Sequence, residues 1–168
     1  MTERPTAHPG TQIGHVHLTV SDLDRSLAFY RDLLGFEVTQ WWAGRTAVFL
    51  SAGGYHHHIA LNTWHGRGAP PPRPGTTGLY HLAILCPSRR ELAATVQRLL
   101  DAGYPLEGAS DHGVSEAVYL RDPDGNGVEL YADRPRDLWP RSADGTLAMT
   151  TQPLDLDGLL AEAPAGAP

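Results

Sequence analysis

The sequence predicts an α+β fold built from two copies of one β-α-β-β-β module, and three observations carry that reading. The first is an internal repeat. IGHVHLTVSDLDRSLAFYRDLLGF (residues 13–36) and LYHLAILCPSRRELAATVQRLLDAGY (residues 79–104) follow one pattern, with His15 falling on His81 and Gly35 on Gly103. The second is a change of hydrophobic period inside each copy, from alternation to helical spacing. The third is a dense run of turn residues, Asp122-Pro-Asp-Gly-Asn-Gly127, between two apolar stretches, which reads as a hairpin.

Each copy opens with a short strand, marked by Val16, Leu18 and Val20 in one and by Leu82 and Ile84 in the other. A helix follows, with Leu23, Leu27, Tyr30 and Leu34 on one face in the first copy and Leu92, Val96, Leu99 and Leu100 in the second. Ser88 and Glu91 form a capping box, and both helices stop at glycine. Strand-like runs then cover 37–42, 47–50 and 55–64 in the first unit, and 115–121 and 128–131 in the second, whose remaining strand is weakly marked. The reading is one domain over 13–131, with unit one at 13–64, a stiff connection at 65–78 around Pro70-Pro71-Pro72, and unit two at 79–131. An extension, 132–168, follows, in which Trp139 and the amphipathic run 153–160 dock on the body and the final Ala/Pro/Gly residues fray. Neither unit can bury enough surface alone, so the two must pack on each other or on a second chain. Paired modules forming a cupped sheet would enclose a cleft.

Composition narrows the chemistry. Over 168 residues the chain carries 13 basic and 19 acidic residues, a formal charge of −6, which leaves no basic surplus for nucleic acid or an anionic membrane. Every basic residue is arginine, so a lysine Schiff base or a P-loop lysine is excluded. The one cysteine, Cys86, forbids an internal disulfide and a multi-cysteine zinc site. The start MTERPTAHPG has no apolar run of signal-peptide type, and no stretch of 18 apolar residues occurs. A cytoplasmic protein is expected, whose chemistry rests on nine histidines, on carboxylates and tyrosines, and on a metal.

Strand alternation puts His15, His17 and Thr19 on one face and the valines and leucine on the other, so the histidine face is the concave one. Glu129 lies mid-strand between Val128 and Leu130, where a buried carboxylate needs a charged partner. Two histidines at equivalent repeat positions and one carboxylate, His15, His81 and Glu129, make the facial set used by non-haem Fe(II).

GHVHLTVSDLDRSLAFYRDLLGF, LYHLAI and YLRDPDGNGVELY together resemble the vicinal oxygen chelate superfamily, over about residues 13–131. That superfamily contains glyoxalase I, extradiol dioxygenases and the fosfomycin and bleomycin resistance proteins. The resemblance implies a metal at His15, His81 and Glu129. It is Fe(II), with Mn(II) or another divalent ion using the same ligands. The ligand spacing is similar to that of the metal-bearing half of extradiol enzymes. Aligning IALNTW with VELY puts Ala60 opposite Glu129, where glyoxalase-type enzymes place a further ligand. A three-ligand site that leaves room for a diol and O₂ favours ring cleavage. By the same resemblance, and by alternation from Ala60, His58 is an acid/base beside the metal, with His56 and His57 as rim and opposite-face residues. Tyr119 binds a substrate hydroxyl and His112 is a further pocket residue. The expected substrates are an aromatic diol and O₂, and the expected assembly a homodimer that can share its site. A glyoxalase-like lyase or isomerase and a metal-free ligand-binding protein, with Trp41, Trp42 and Trp64 as stacking surfaces, are the alternatives.

Overall fold

A computed structural model describes residues 4–164. The first module runs β1 (Val16–Thr19), α1 (Leu23–Leu27, continued in wider π-type turns over Ala28–Leu33), β2 (Glu37–Trp41), β3 (Ala47–Ser51) and β4 (Ile59–Asn62). The second runs β5 (Leu82–Leu85), α2 (Arg89–Asp101), β6 (Leu106–Asp111), β7 (Ser115–Arg121) and β8 (Gly127–Asp133). Strand orders are β1-β4-β3-β2 and β5-β8-β7-β6, with β9 (Gln152–Pro153) added at the edge beside β6. In each sheet the first and last strands of the module are parallel and the others antiparallel. The βαβββ duplication is therefore present, as two separate sheets.

Local chemistry explains the boundaries. The Asp22 carboxylate accepts the Arg25 amide at 2.9 Å, and the Ser88 hydroxyl accepts the Glu91 amide at 3.2 Å, so each helix has a side-chain N-cap. Gly35 and Gly103 take left-handed φ of 83° and 68° just past the helices, where a side chain would be strained. The weakly marked strand of unit two is β6, whose pairing slips at a bulge between Leu106 and Gly108. The strand expected over 55–64 is shorter. Gly53 and Gly54, with φ of 68° and 79°, turn the chain, and the ladder is regular only from Ile59.

The two modules share one apolar core. Leu27, Phe29 and Tyr30 of the first meet Leu92, Val96 and Leu99 of the second, and the Phe29 and Tyr104 rings lie 5.0 Å apart. Polar contacts fix the geometry. Asp122, 3% exposed, accepts the amides of Asp124 and Asn126, the Asn126 side-chain amide and the Tyr30 hydroxyl, the last at 3.0 Å. Asp124, 5% exposed, accepts the Ser21 amide and pairs with Arg25. Arg98 of α2 donates to the Leu33 carbonyl at the end of the first helix. The run read as a hairpin turn is thus also the staple between modules. Within the chain the modules meet through their helices and this turn, and each keeps its own sheet.

Trp139 is held within the extension itself, its indole N–H donating to the Arg134 carbonyl, whereas the run 153–160 docks on the body as expected, with α3 (Leu156–Leu160) packed on α2 and Leu159 fully buried. Arg89 ties the two together by reaching Glu116, the Gly158 carbonyl and Glu162. The last Ala/Gly/Pro residues, expected to fray, and the initial Met-Thr-Glu lie outside the described residues. Among the described residues no helix is long and apolar enough to cross a membrane.

Burial and the neighbouring Asp122 push the Tyr30 phenol above its ordinary range, so it stays a donor. Tyr30→Phe should cost about 1–3 kcal/mol in urea unfolding, because Asp122 keeps three donors and loses one. Burial likewise pushes the Cys86 thiol up to about 11. At about pH 8 a disulfide reagent should therefore label Cys86 quickly only after denaturation; fast labelling of the native protein would contradict its buried placement.

Candidate metal centre

The parallel pairs align the repeat without reference to sequence similarity. His17 sits beside Ala60 in the first sheet, and Ala83 beside Glu129 in the second. Across the antiparallel pairs, Phe49 faces Ala60 and Tyr119 faces Glu129. Ala60 and Glu129 are therefore equivalent, as the alignment of IALNTW with VELY required. The acid and the phenol of the second module correspond to a methyl and a phenyl in the first.

Around Glu129 three other predicted residues come together. His81 Nε2 lies 2.9 Å from Glu129 Oε2, the Tyr119 hydroxyl donates to Glu129 Oε1 at 3.1 Å, and His112 Nε2 lies 2.6 Å from the Tyr119 hydroxyl. Burial and the adjacent Glu129 raise the Tyr119 phenol to about 12, so it carries its proton at neutral pH. Gly127 is what lets this happen: a Cβ there would strike the Tyr80 carbonyl and His81, so only glycine allows β8 to start against the backbone that carries His81. A cavity of about 290 Å³, lined by Tyr80, His81, His112, Tyr119 and Thr151, opens beside the cluster. Thr151 and its neighbour Thr150 were not identified from sequence. They lie where hydrophobic periodicity fades, and no motif marks them.

The first-module residues are elsewhere. The His15 ring packs on His57 with centroids 4.4 Å apart, and His57 also meets Phe49 at 5.0 Å. His57 thus shares the face of His15, not the opposite one, because residues 56–58 precede the regular ladder and alternation does not govern them. Burial, then the charges of His15, His56, His17 and His58, push the His57 ring below its ordinary range, and burial with His15 does the same to His17. His58 leans over the end of β3, its Nδ1 3.1 Å from Ser51 Oγ and 3.3 Å from the Ala52 amide. Neither His15 nor His58 contacts the His81–Glu129 pair. Among the described residues no three His, Cys, Asp or Glu side chains gather closely enough to hold one ion.

A divalent metal nevertheless suits the second-module pair. An imidazole and a carboxylate within 2.9 Å are the donor types such ions take, and His81 Nδ1 is buried with no hydrogen-bond partner. The pair offers two donors of the right type, and an ion held there would need a third from outside the pair.

A family model described as the glyoxalase/bleomycin resistance protein/dioxygenase superfamily matches residues 12–130. A catechol-2,3-dioxygenase from Bacillus subtilis is 46% identical over 93% of this chain and 53% of its own length. A biphenyl-2,3-diol 1,2-dioxygenase from Rhodococcus globerulus is 34% identical over 73% of the chain and 63% of its own. The chain thus spans about half to two thirds of these relatives. The crystal structure of a lactoylglutathione lyase from Agrobacterium tumefaciens superposes with a TM-score of 0.57 at 29% identity, over 74% of this chain and 96% of that one. With its duplicated βαβββ modules and a family match across both, the chain belongs to the glyoxalase/bleomycin resistance/dioxygenase superfamily.

Proposed function

We propose that this protein is a metal-dependent extradiol-type dioxygenase that cleaves a catechol-like diol with O₂. The observation that carries the reading is the connected set His81, Glu129, Tyr119 and His112 beside a cavity. The likeness to two diol dioxygenases supports it. His81 and Glu129 would hold the ion, Fe(II) or Mn(II), which when bound supplies Lewis acidity and a shared coordination sphere for diol and O₂. Tyr119 would hold a diol hydroxyl by hydrogen bonding, with His112 behind it as a further pocket residue. The Ala60 methyl, opposite Glu129 in the repeat, supplies no further ligand, which favours a dioxygenase over the glyoxalase-like lyase suggested by the superposed structure.

The missing ligand is His15 of a second copy, in a homodimer whose first module covers the second module of its partner. Support comes from the outward-facing histidine face and from exposed apolar residues at the openings of both modules. Ile13 and Tyr80 are 96% and 84% exposed. Mixing His15→Ala with His81→Ala chains would then rebuild one intact site per heterodimer. About a quarter of wild-type oxygen uptake should return on random mixing, and no return would exclude a shared site.

Anaerobic reconstitution with Fe(II), followed by oxygen-uptake assays over substituted catechols, tests the activity. His81→Ala should lose bound metal by elemental analysis and all uptake; full metal retention would remove His81 from the site. His58→Phe should keep metal and catechol binding and lower turnover by roughly 10²–10⁴ if His58 is the acid/base. Normal turnover would assign His58 to its contacts with Ser51 and Ala52 alone.

A further inference from the structure

The pairing registers allow the two modules to be compared residue by residue beyond Ala60 and Glu129. In each, the antiparallel ladder slips once, between Val38 and Gln40 on β2 and between Leu106 and Gly108 on β6. Immediately after the slip Gln40 pairs with Phe49, and Gly108 pairs with Tyr119. Since Phe49 faces Ala60 and Tyr119 faces Glu129, Gln40 and Gly108 hold the same place in the two sheets. We infer that Gly108 is a specificity-determining position, left without a side chain so that a hydrogen-bonding side arm on the diol ring fits beside Tyr119. The inference rests on the dioxygenase reading for the identity of the ligand.

The fold does not ask for glycine at this position. Gly108 lacks the positive φ of Gly103 and Gly113, and a Cβ built on it would meet no atom within 4 Å. The equivalent bulge of the first module carries a glutamine, so the backbone there accepts a long side chain. Glycine inside a strand loosens the chain and packs against nothing. It differs in this from Gly127, where a Cβ would strike the Tyr80 carbonyl and His81. What the missing side chain provides is open space.

That space belongs to the candidate site. Cross-strand partners project from the same face of a sheet, so Gly108 lies on the face of Tyr119 and Glu129. Ser110, paired with Ala117, shares that face, while Ala109 between them packs against the core. The cavity of about 290 Å³ is lined on either side of Gly108, by Glu107 and Ser110, and by Tyr119 across from it. Its outer wall is polar. Ser110 and Thr151 bring hydroxyls, and Arg121 lies paired with Glu107 at 3.0 Å. A side arm lying over β6 would meet hydroxyls and an ion pair, which suits a hydroxyl-bearing arm and leaves a second aromatic ring badly matched. A glutamine at this position, as at 40, would fill the space.

Gly108→Gln gives the second module the residue of the first, and Gly108→Ala adds one methyl. Oxygen uptake by the Fe(II)-loaded protein yields kcat/KM for hydroxyethyl-substituted catechol relative to catechol. That ratio should fall about tenfold or more in the Gln variant, chiefly through KM, and by less in the Ala variant. Melting temperatures of both variants should be at or above wild type, because the backbone is compatible with a side chain. An unchanged ratio in the Gln variant overturns the inference. Melting well below wild type in both variants, or a change of oligomeric state, also overturns it by making Gly108 a structural or subunit-contact glycine. A wild-type preference for phenyl-substituted over hydroxyethyl-substituted catechol overturns the class of side arm. Anaerobic calorimetry reads the Kd ratio for the same diols whether or not they are cleaved. A wild-type protein that binds them, loses the substituted diol selectively in the Gln variant and consumes no oxygen supports the role of Gly108 and overturns the dioxygenase reading. Absence of binding by any diol overturns both.

Discussion

Asp122 is almost wholly buried, and its carboxylate is tolerated there because four donors converge on it, three from its own turn and one from Tyr30 in the other module. Much else depends on that arrangement. The turn cannot relax without leaving a buried charge short of partners, and Asp124, held beside it, accepts the Ser21 amide and the Arg25 guanidinium. The start and the middle of the first helix are thereby fixed to the tip of the β7–β8 hairpin. Once the modules are joined at that point, the apolar faces of both helices must share one core, and the histidine-bearing face of the first sheet is left open.

The repeat was legible because duplication writes the same hydrophobic period twice, and strand β7 was read to the residue. The turn was legible as a turn, since Asp, Asn, Pro and Gly each favour tight backbone for their own reasons. Its role as a staple was not, because nothing in a sequence says that Tyr30 reaches a residue 92 positions away. The Tyr55–His58 run misled for a related reason. Alternation assumes a regular ladder, whereas Gly53 and Gly54 turn the chain and postpone the ladder to Ile59. His57 therefore packs on His15, where a strict two-residue period would have pointed it away. In the site, Glu129, His81, Tyr119 and His112 were identified from motif position, and their contacts with one another emerge from the register of β5, β7 and β8. Whether His15 joins them depends on packing between modules, which local patterns do not encode.

The two modules have diverged in a chemically specific way. At equivalent positions one sheet carries tyrosine and glutamate and the other phenylalanine and alanine, while the histidine at the head of the first strand is present in both. One module has thus kept a hydrogen-bonding network and the other an aromatic and imidazole surface of Phe49, His15, His17 and His57. Burial and neighbouring histidines lower the His57 and His17 rings, while Asn62 reaches His17 Nε2 and His56 lies against His57 Nδ1. A carboxylate-bearing half and an imidazole-bearing half thus offer different donor types, which is what the proposed shared site would draw on.

The same logic applies to the extension. A paired-module fold ends at β8, where Glu129 sits, and the loop that carries His112 is the β6–β7 turn, held within the module by the His112 amide on the Ser115 carbonyl and the Gly113 amide on Asp111. The chain continues past β8, turns at Pro135–Pro140, and returns as β9 alongside β6, one residue before that loop. This adds a fifth strand to one sheet only, so the two modules differ in the place where the cavity opens. A scaffold shared across a family thereby gains contacts to the His112 loop from a segment the family match does not include, and that segment is anchored by Leu159 and Arg89 some distance from the loop.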